Sequence, residues 1–388
     1  MSRINVAFRP KTLTSFLLLV LAFWGQASTA QQPVAASLPN DIGQQPLTAA
    51  AAPKVELHAL ETLTLTDEEF LTGAGRGQQA TISAALRIPA SSAERMPAIV
   101  LLHGSVGISA GLERWSRELN DLGVATLQLD SFTGRGIVDT SADQSQIGTL
   151  TMMYDAYRAL ELLAKHPRID PARIGVLGGS RGGVPALYSS MTRFQRMYGA
   201  PGTLFAVHLV FYTNCNTIYL DDTDVADRPI RLFHGTADDT ARLEPCRSYA
   251  DRLRAAGNDV LLHEYDGAHH AFDNADAATR IRLEQGETPG FCALRENPAG
   301  RLVNLDTGRP FTYRDACVRR GVTLAGDADA RAAAVEQVKH ISRKLLESKS
   351  CGSSSLLSSR TVCGSRPPRA RSPPRKSASL ARNALLAC

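Results

Sequence analysis

Ser180 sits in Gly178-Gly179-Ser180-Arg181-Gly182, a G-x-S-x-G pattern within IGVLGGSRGGVPALY (Ile174–Tyr188), where five glycines surround one serine. Glycine admits positive φ and close backbone approach, and costs chain entropy wherever neither is needed. A sharp strand-to-helix turn that presents a nucleophilic serine needs such freedom. A serine hydroxyl is a weak nucleophile until a base takes its proton. A histidine base in turn needs an acid that fixes its tautomer and stabilises its charged form. Both types lie downstream: Asp238 in HGTADD (His234–Asp239), and His270 in DGAHHAF (Asp266–Phe272). Asp239 competes with Asp238, more distantly Asp221, Asp222 and Asp224 do too, and His269 competes with His270. The paired histidines lack H-x-x-x-H spacing and a clustered acid, so no metal and no organic cofactor is expected. The chemistry these residues suit is acyl transfer through a covalent serine ester.

An acyl transfer also needs donors for the oxyanion that develops on the substrate carbonyl. With Ser180 at a helix N-terminus, the backbone N–H of Arg181 is one expected donor, backed by the helix dipole. The N–H of Ser105, in HGSVG (His103–Gly107), is the expected second, with the His103 side chain buttressing that loop. Arg135, in SFTGRG (Ser131–Gly136), is a candidate for orienting an anionic substrate group, against a purely structural loop role.

These loops need a frame. Apolar or β-rich runs at 55–65, 80–88, 97–103, 124–130, 173–178, 204–212, 229–234 and 260–265 read as strands. Amphipathic helices are expected at 109–122, 148–166, 181–192, 244–256 and 327–346. In 148–166, Leu150, Met153, Tyr157, Leu160 and Leu163 recur at helical spacing. Such alternation predicts an α/β fold with a mostly parallel sheet and helices on both faces. The first two runs alternate in polarity and suit an antiparallel edge. In such sheets function gathers at the carboxyl ends of the strands, and every candidate loop falls just after one. The order serine, acid, histidine is the one α/β-hydrolases use.

HGSVG, GGSRGG, HGTADD and GAHHAF, with the segment 292–318, resemble the dienelactone hydrolase family of α/β-hydrolases over about residues 60–346. The resemblance implies the α/β-hydrolase fold, with the nucleophile in G-x-C-x-G or G-x-S-x-G at Ser180. It implies the acid in the G-x-x-D after the next-to-last strand at Asp238, and the base before a small residue and a phenylalanine at His270. The founding enzymes use cysteine, with a glutamate in the loop where this chain has Gly104. That departure favours a general serine esterase for small esters or lactones over dienelactone itself. A peptidase, thioesterase or perhydrolase with the same triad, or a non-catalytic scaffold on the same fold, are the alternatives.

The ends of the chain read differently. Arg3, Arg9 and Lys11 precede an apolar run from Phe16 to Trp24 and the small residues Ser28 and Ala30. This predicts a signal peptide over 1–30 and a periplasmic or secreted protein. The run falls short of the roughly 20 residues that span a bilayer, so no stable membrane span is expected after cleavage. Residues 31–54 read as a flexible linker, 55–347 as one hydrolase domain, and 348–388 as a basic, Ser/Pro-rich disordered tail. Eleven of the 43 basic residues lie in those two ends, which hold no Asp or Glu. Residues 31–347 therefore carry −6 against the 38 acids, and no nucleic-acid partner is expected. Four of seven cysteines lie in the body: Cys215, Cys246, Cys292 and Cys317. An even count in an exported chain predicts disulfides, here paired in sequence order. The first would tie two loops at the catalytic edge. The second would clamp a polar excursion with no core of its own.

Overall fold

Val, Ile and Leu run almost unbroken through the inner strands because helices cover both of their faces. The computed structural model describes residues 53–74, 76–90, 93–274 and 280–347. The expected signal segment, the expected linker up to residue 52 and the basic tail lie outside the described residues. All eight anticipated runs form strands: β1 (Lys54–Thr64), β2 (Gln78–Ile88), β3 (Met96–Leu102), β4 (Ala125–Asp130), β5 (Ile169–Gly179) and β6 (His208–Phe211), then, after the two-residue β7 (Thr217–Ile218), β8 (Ile230–Gly235) and β9 (Val260–Tyr265). One eight-stranded sheet holds all of these but β7, in the order β1-β2-β4-β3-β5-β6-β8-β9. Pairing is antiparallel for β1 with β2 and for β2 with β4, and parallel from β4 onward to β9.

Helices α1 (Asp67–Thr72), α2 (Ala110–Asn120), α3 (Thr149–Lys165), α4 (Gly183–Tyr188), α5 (Thr192–Tyr198), α6 (Leu243–Ala255) and α7 (Ala328–Glu347) complete the frame. The period-2 alternation of the strands divides the core between two sides. Ile99 and Leu101 join Leu112, Trp115 and Leu119 of α2 and Ala334 and Val338 of α7. Ala98, Val100 and Leu102 join Met153, Tyr157 and Leu160 of α3 and Leu253 of α6. α2 starts at Ser109, whose hydroxyl accepts the Leu112 N–H, and buries the stripe Leu112, Trp115, Leu119.

The excursion after His270 is where the structure departs from expectation. It folds into β10 (Ile281–Thr288), β11 (Leu294–Glu296), β12 (Leu302–Asn304), β13 (Arg309–Pro310) and β14 (Arg319–Leu324). β10 pairs antiparallel with β14, and β11 runs parallel to β7, which follows the end of β6. Disulfides join Cys215 to Cys246 and Cys292 to Cys317, the sequence-order pairing. The second bridge closes the excursion on itself. The first joins the loop after β6 to the buried face of α6.

Candidate active site

Ser180 follows β5 directly and opens a short 3-10 turn (Ser180–Gly182) that leads into α4. Its φ is +55°, a left-handed value that L residues adopt only where surrounding contacts impose it. Two glycines show why the turn must be bare. A Cβ on Gly178 would lie 2.1 Å from the Gly182 carbonyl oxygen, and one on Gly182 would lie 2.4 Å from that of Leu102. Backbone meets backbone there, and no side chain fits.

His270 comes five residues after β9 and meets the serine: its Nε2 lies 2.8 Å from Ser180 Oγ. Its Nδ1 lies 2.8 Å from Asp238 Oδ2. The other Asp238 oxygen accepts the N–H groups of Thr240 and Ala241, each at 2.8 Å. Burial alone would raise this carboxyl. The His270 charge and hydrogen bond, with His234 and the Ala241 N–H, outweigh it and hold Asp238 below the ordinary carboxylate range. An ionised Asp238 requires a proton on Nδ1, which leaves the Nε2 lone pair to accept from the serine hydroxyl. His234 lies 3.6 Å from the same carboxylate, but its Nε2 bonds the Ala241 carbonyl and burial lowers its pKa.

Asp239 and Asp222 have other partners. Asp239 accepts the backbone N–H and the hydroxyl of Thr323, at 2.9 and 2.7 Å, and so fastens β14 to the acid loop. Asp222 is paired with Arg252, and neither it, Asp221, Asp224 nor His269 lines the cavity described below. Arg135 is a correction. Its side chain is 5 % exposed and all five of its N–H donors are engaged. They meet both oxygens of Asp155, the Thr64 hydroxyl, and the carbonyls of Ser131 and Leu63. No donor remains for a substrate. The His103 side chain does sit against the loop it was expected to support. Nδ1 donates to the Gly104 carbonyl and Nε2 accepts the Ser131 N–H, a neutral tautomer that burial favours.

Beside Ser180 and His270 opens a cavity of about 310 Å³, within the usual range for small-molecule sites. Ser105 and Arg181 both line it. A Cβ on Gly104 would stand 3.6 Å from that of Ser180, so the HGSVG loop closes directly over Ser180. The apolar walls include Leu112, Trp115, Val184 and Phe211 from the main sheet and helices, and Leu283 and Val322 from β10 and β14. The arrangement can move a proton from Ser180 to His270 while a carbonyl sits in a largely apolar pocket.

Five contributors escaped sequence reading. The Tyr212 ring packs edge-on against His270, 4.8 Å between centroids, and its hydroxyl donates to Asp273 at 2.7 Å. Trp115 Nε1 donates to the other Asp273 oxygen at 2.6 Å. Thr323 holds Asp239, and Gln144 touches both Ser105 and Arg181. Only Asp273, three residues beyond His270, carried a positional hint.

Among solved structures, the chain is similar to a dienelactone hydrolase-like promiscuous phosphotriesterase from metagenomic libraries. That match has 15% identity, covers 75% of this chain and 98% of the other, and gives a TM-score of 0.46. It is also similar to the thermophilic esterase Est2 of the planctomycete Thermogutta terrifontis (22% identity, 50% and 81% covered, TM-score 0.40). A third is Est1E from Butyrivibrio proteoclasticus (15% identity, 49% and 86% covered, TM-score 0.38). The profile of the dienelactone hydrolase family matches residues 82–287, more than half of the chain. The chain belongs to that family and is a carboxylic ester hydrolase.

Proposed function

We propose that the protein is an exported serine esterase that cleaves small carboxylic esters or lactones through an acyl-enzyme on Ser180. The observation that carries this is the unbroken hydrogen-bond chain Ser180–His270–Asp238, with both links at 2.8 Å, beside the cavity. His270 Nε2 takes the hydroxyl proton as Ser180 Oγ attacks the substrate carbonyl carbon. The oxyanion formed accepts from the N–H groups of Ser105 and Arg181. The bond to the leaving oxygen then breaks, and His270 returns the proton to that oxygen. Water repeats the sequence on the acyl-enzyme and restores the serine. Asp238 stays ionised throughout and holds the imidazole in the required tautomer. Two disulfides in the described body support export.

Ser180→Ala should leave the fold intact and lower kcat on a p-nitrophenyl ester by ~10⁴-fold or more. Retention of more than about a hundredth of the wild-type rate would remove Ser180 from the nucleophile role. Labelling by a fluorophosphonate should fall on Ser180. N-terminal sequencing of protein recovered from the periplasm or medium should begin at Gln31.

A further inference from the structure

Gln144 bonds both residues whose backbone N–H groups the reading above aims at the oxyanion. Its Nε2 donates to Ser105 Oγ at 2.9 Å, and its Oε1 accepts from Arg181 Nη1. A guanidinium only donates, so Oε1 must face Arg181 and the amide nitrogen must face Ser105. The main chain of Gln144 is held at both polar atoms. Its N–H donates to Glu287 Oε1 at 2.9 Å, and its carbonyl accepts from Arg181 Nη2 at 3.2 Å. Arg181 also donates to the Ile147 carbonyl, and its side chain is buried. Ser105, Gln144 and Arg181 all line the cavity.

The two N–H groups come from separate elements. One rides on the turn after β5, which the contacts at Gly178 and Gly182 define. The other rides on the HGSVG loop after β3, whose Gly107 has a φ of +73°. An oxyanion needs both donors at about 2.7–3.1 Å together. Something must fix the spacing between the two elements, and the Gln144 amide reaches from one to the other.

We propose that Gln144 is a positioning residue for the oxyanion hole: its side chain sets the distance between the Ser105 loop and the Arg181 turn. The inference rests on the Ser180 esterase reading. A loosened hole weakens binding of the charged transition state more than that of the neutral ester, so the effect belongs in kcat rather than KM.

The test compares wild type, Gln144→Leu, Ser105→Ala and the double variant. Each is measured for kcat and KM on a p-nitrophenyl ester and for inhibition by a trifluoromethyl ketone, whose serine adduct carries the oxyanion. Gln144→Leu should lower kcat about 10- to 100-fold, below the full loss of a donor, with KM within about 3-fold. The ketone should weaken by the same factor as kcat/KM. Ser105→Ala cuts the same bridge from its other end while keeping the backbone N–H and every Arg181 bond. It should give a smaller loss, and the double variant should be no worse than Gln144→Leu. Unchanged kcat in Gln144→Leu would overturn the proposal, as would a loss of kcat without parallel weakening of the ketone. If Gln144→Leu does not fold, Ser105→Ala decides by the same two readouts. Fluorophosphonate labelling separates the two levels. Label on a residue other than Ser180 overturns the esterase reading, whereas label on Ser180 with kcat intact overturns only the role of Gln144.

Discussion

Ser180 and His270 meet across 2.8 Å, yet they are supported in unlike ways. The serine sits in the middle of the sheet, at the end of a strand paired on both sides, in a turn shaped by backbone-on-backbone contact. The glycines that shape it lie in the motif, and the backbone of Leu102 and His103 at the end of β3 closes on them. The histidine hangs on a loop after the edge strand β9. Its support arrives from distant parts of the chain. Asp238 fixes Nδ1, Tyr212 packs on the ring, and Asp273 ties the loop to Tyr212 and Trp115. Beyond β14, the Ala325 N–H donates to the His270 carbonyl at 3.1 Å. One half of the site is a short covalent design, and the other is an assembly. Damage to the first should take stability and activity together. Damage to the second should take activity first.

The largest effect should come from the acid, where two adjacent aspartates separate the roles. Asp238→Asn should cut kcat by ~10⁴-fold with little change in fold, because Nδ1 loses its charge partner and the tautomer is no longer fixed. Asp239→Asn should cost about 10-fold or less, since it loosens Thr323 and β14 without touching the imidazole. Steady-state kinetics of the two variants check this, and the opposite ranking would move the acid one residue along.

The next pair tests the two supports directly. Gly182→Ala puts a methyl 2.4 Å from the Leu102 carbonyl, with backbone on both sides and nothing able to yield. It should cost about 3 kcal/mol of stability along with most of the activity. Asp273→Asn keeps the shape but leaves one acceptor oxygen, and no charge, for the two donors Tyr212 and Trp115. It should lower kcat about 10- to 100-fold through a misplaced His270 while moving Tm by only a few degrees. Thermal melts beside initial rates distinguish the patterns. A parallel loss of both properties in Asp273→Asn would erase the contrast.

The same contrast governs how much was legible in the sequence. The six parallel strands of the main sheet were visible because buried parallel strands are apolar and bounded by turn residues, and β1 and β2 because they alternate in polarity. The Ser180 turn was visible because steric contact between backbones forces glycine at fixed offsets. The strands of the excursion were not, since β11 and β12 have three residues each and β13 two, too few for any period to register. Tyr212, Trp115, Asp273, Thr323 and Gln144 were missed because their partners lie 37 to 158 residues away. Arg135 misled for a related reason. An arginine just past a strand end looks like a ligand holder, yet its partner is Asp155, on the buried side of α3. A carboxylate among Met152, Ala156 and Ala159 needs a cation, and the amphipathic pattern of α3 held that signal.

The excursion lends its wall to the cavity, so its disulfide should matter for substrate binding as well as for stability. Replacing Cys292 and Cys317 together by Ala opens a loop whose ends are 25 residues apart. Closure entropy puts the cost at no more than about 3.5 kcal/mol. Leu283, Val322 and Tyr313 line the pocket from this segment, so KM for a bulky ester should rise several-fold. Because β14 still pairs with β10 and Thr323 still meets Asp239, kcat should stay within about 2-fold. A collapse of kcat with KM unchanged would place the excursion on the histidine side of the comparison rather than on the substrate side.

The smallest effect on activity concerns a histidine packed against the helix that follows Ser180. His208, on β6, is 1 % exposed and its Nδ1 donates at 2.8 Å to the carbonyl of Ala186 in α4, the helix that carries the Ser180 turn. Burial pushes its pKa down from 6.5 to about 4, only partly offset by that hydrogen bond. Between those values the unfolded chain takes up a proton that the folded protein refuses. The stability His208 contributes is therefore complete above pH 6.5, falls as the pH drops toward 4, and changes little below that. At 1.36 kcal/mol per unit, the full loss is of order 3 kcal/mol. His208→Asn keeps an N–H donor near the Ala186 carbonyl but cannot take up the proton. It should cost about 1–2 kcal/mol at pH 7 through lost packing, with kcat within about 2-fold. Its stability should then fall less steeply than wild type on acidification, by about one proton across that window. Urea denaturation at half-unit steps from pH 7.5 to 4 reads the slope, and equal slopes for the two proteins would show that His208 does not couple acid to the support of the nucleophile.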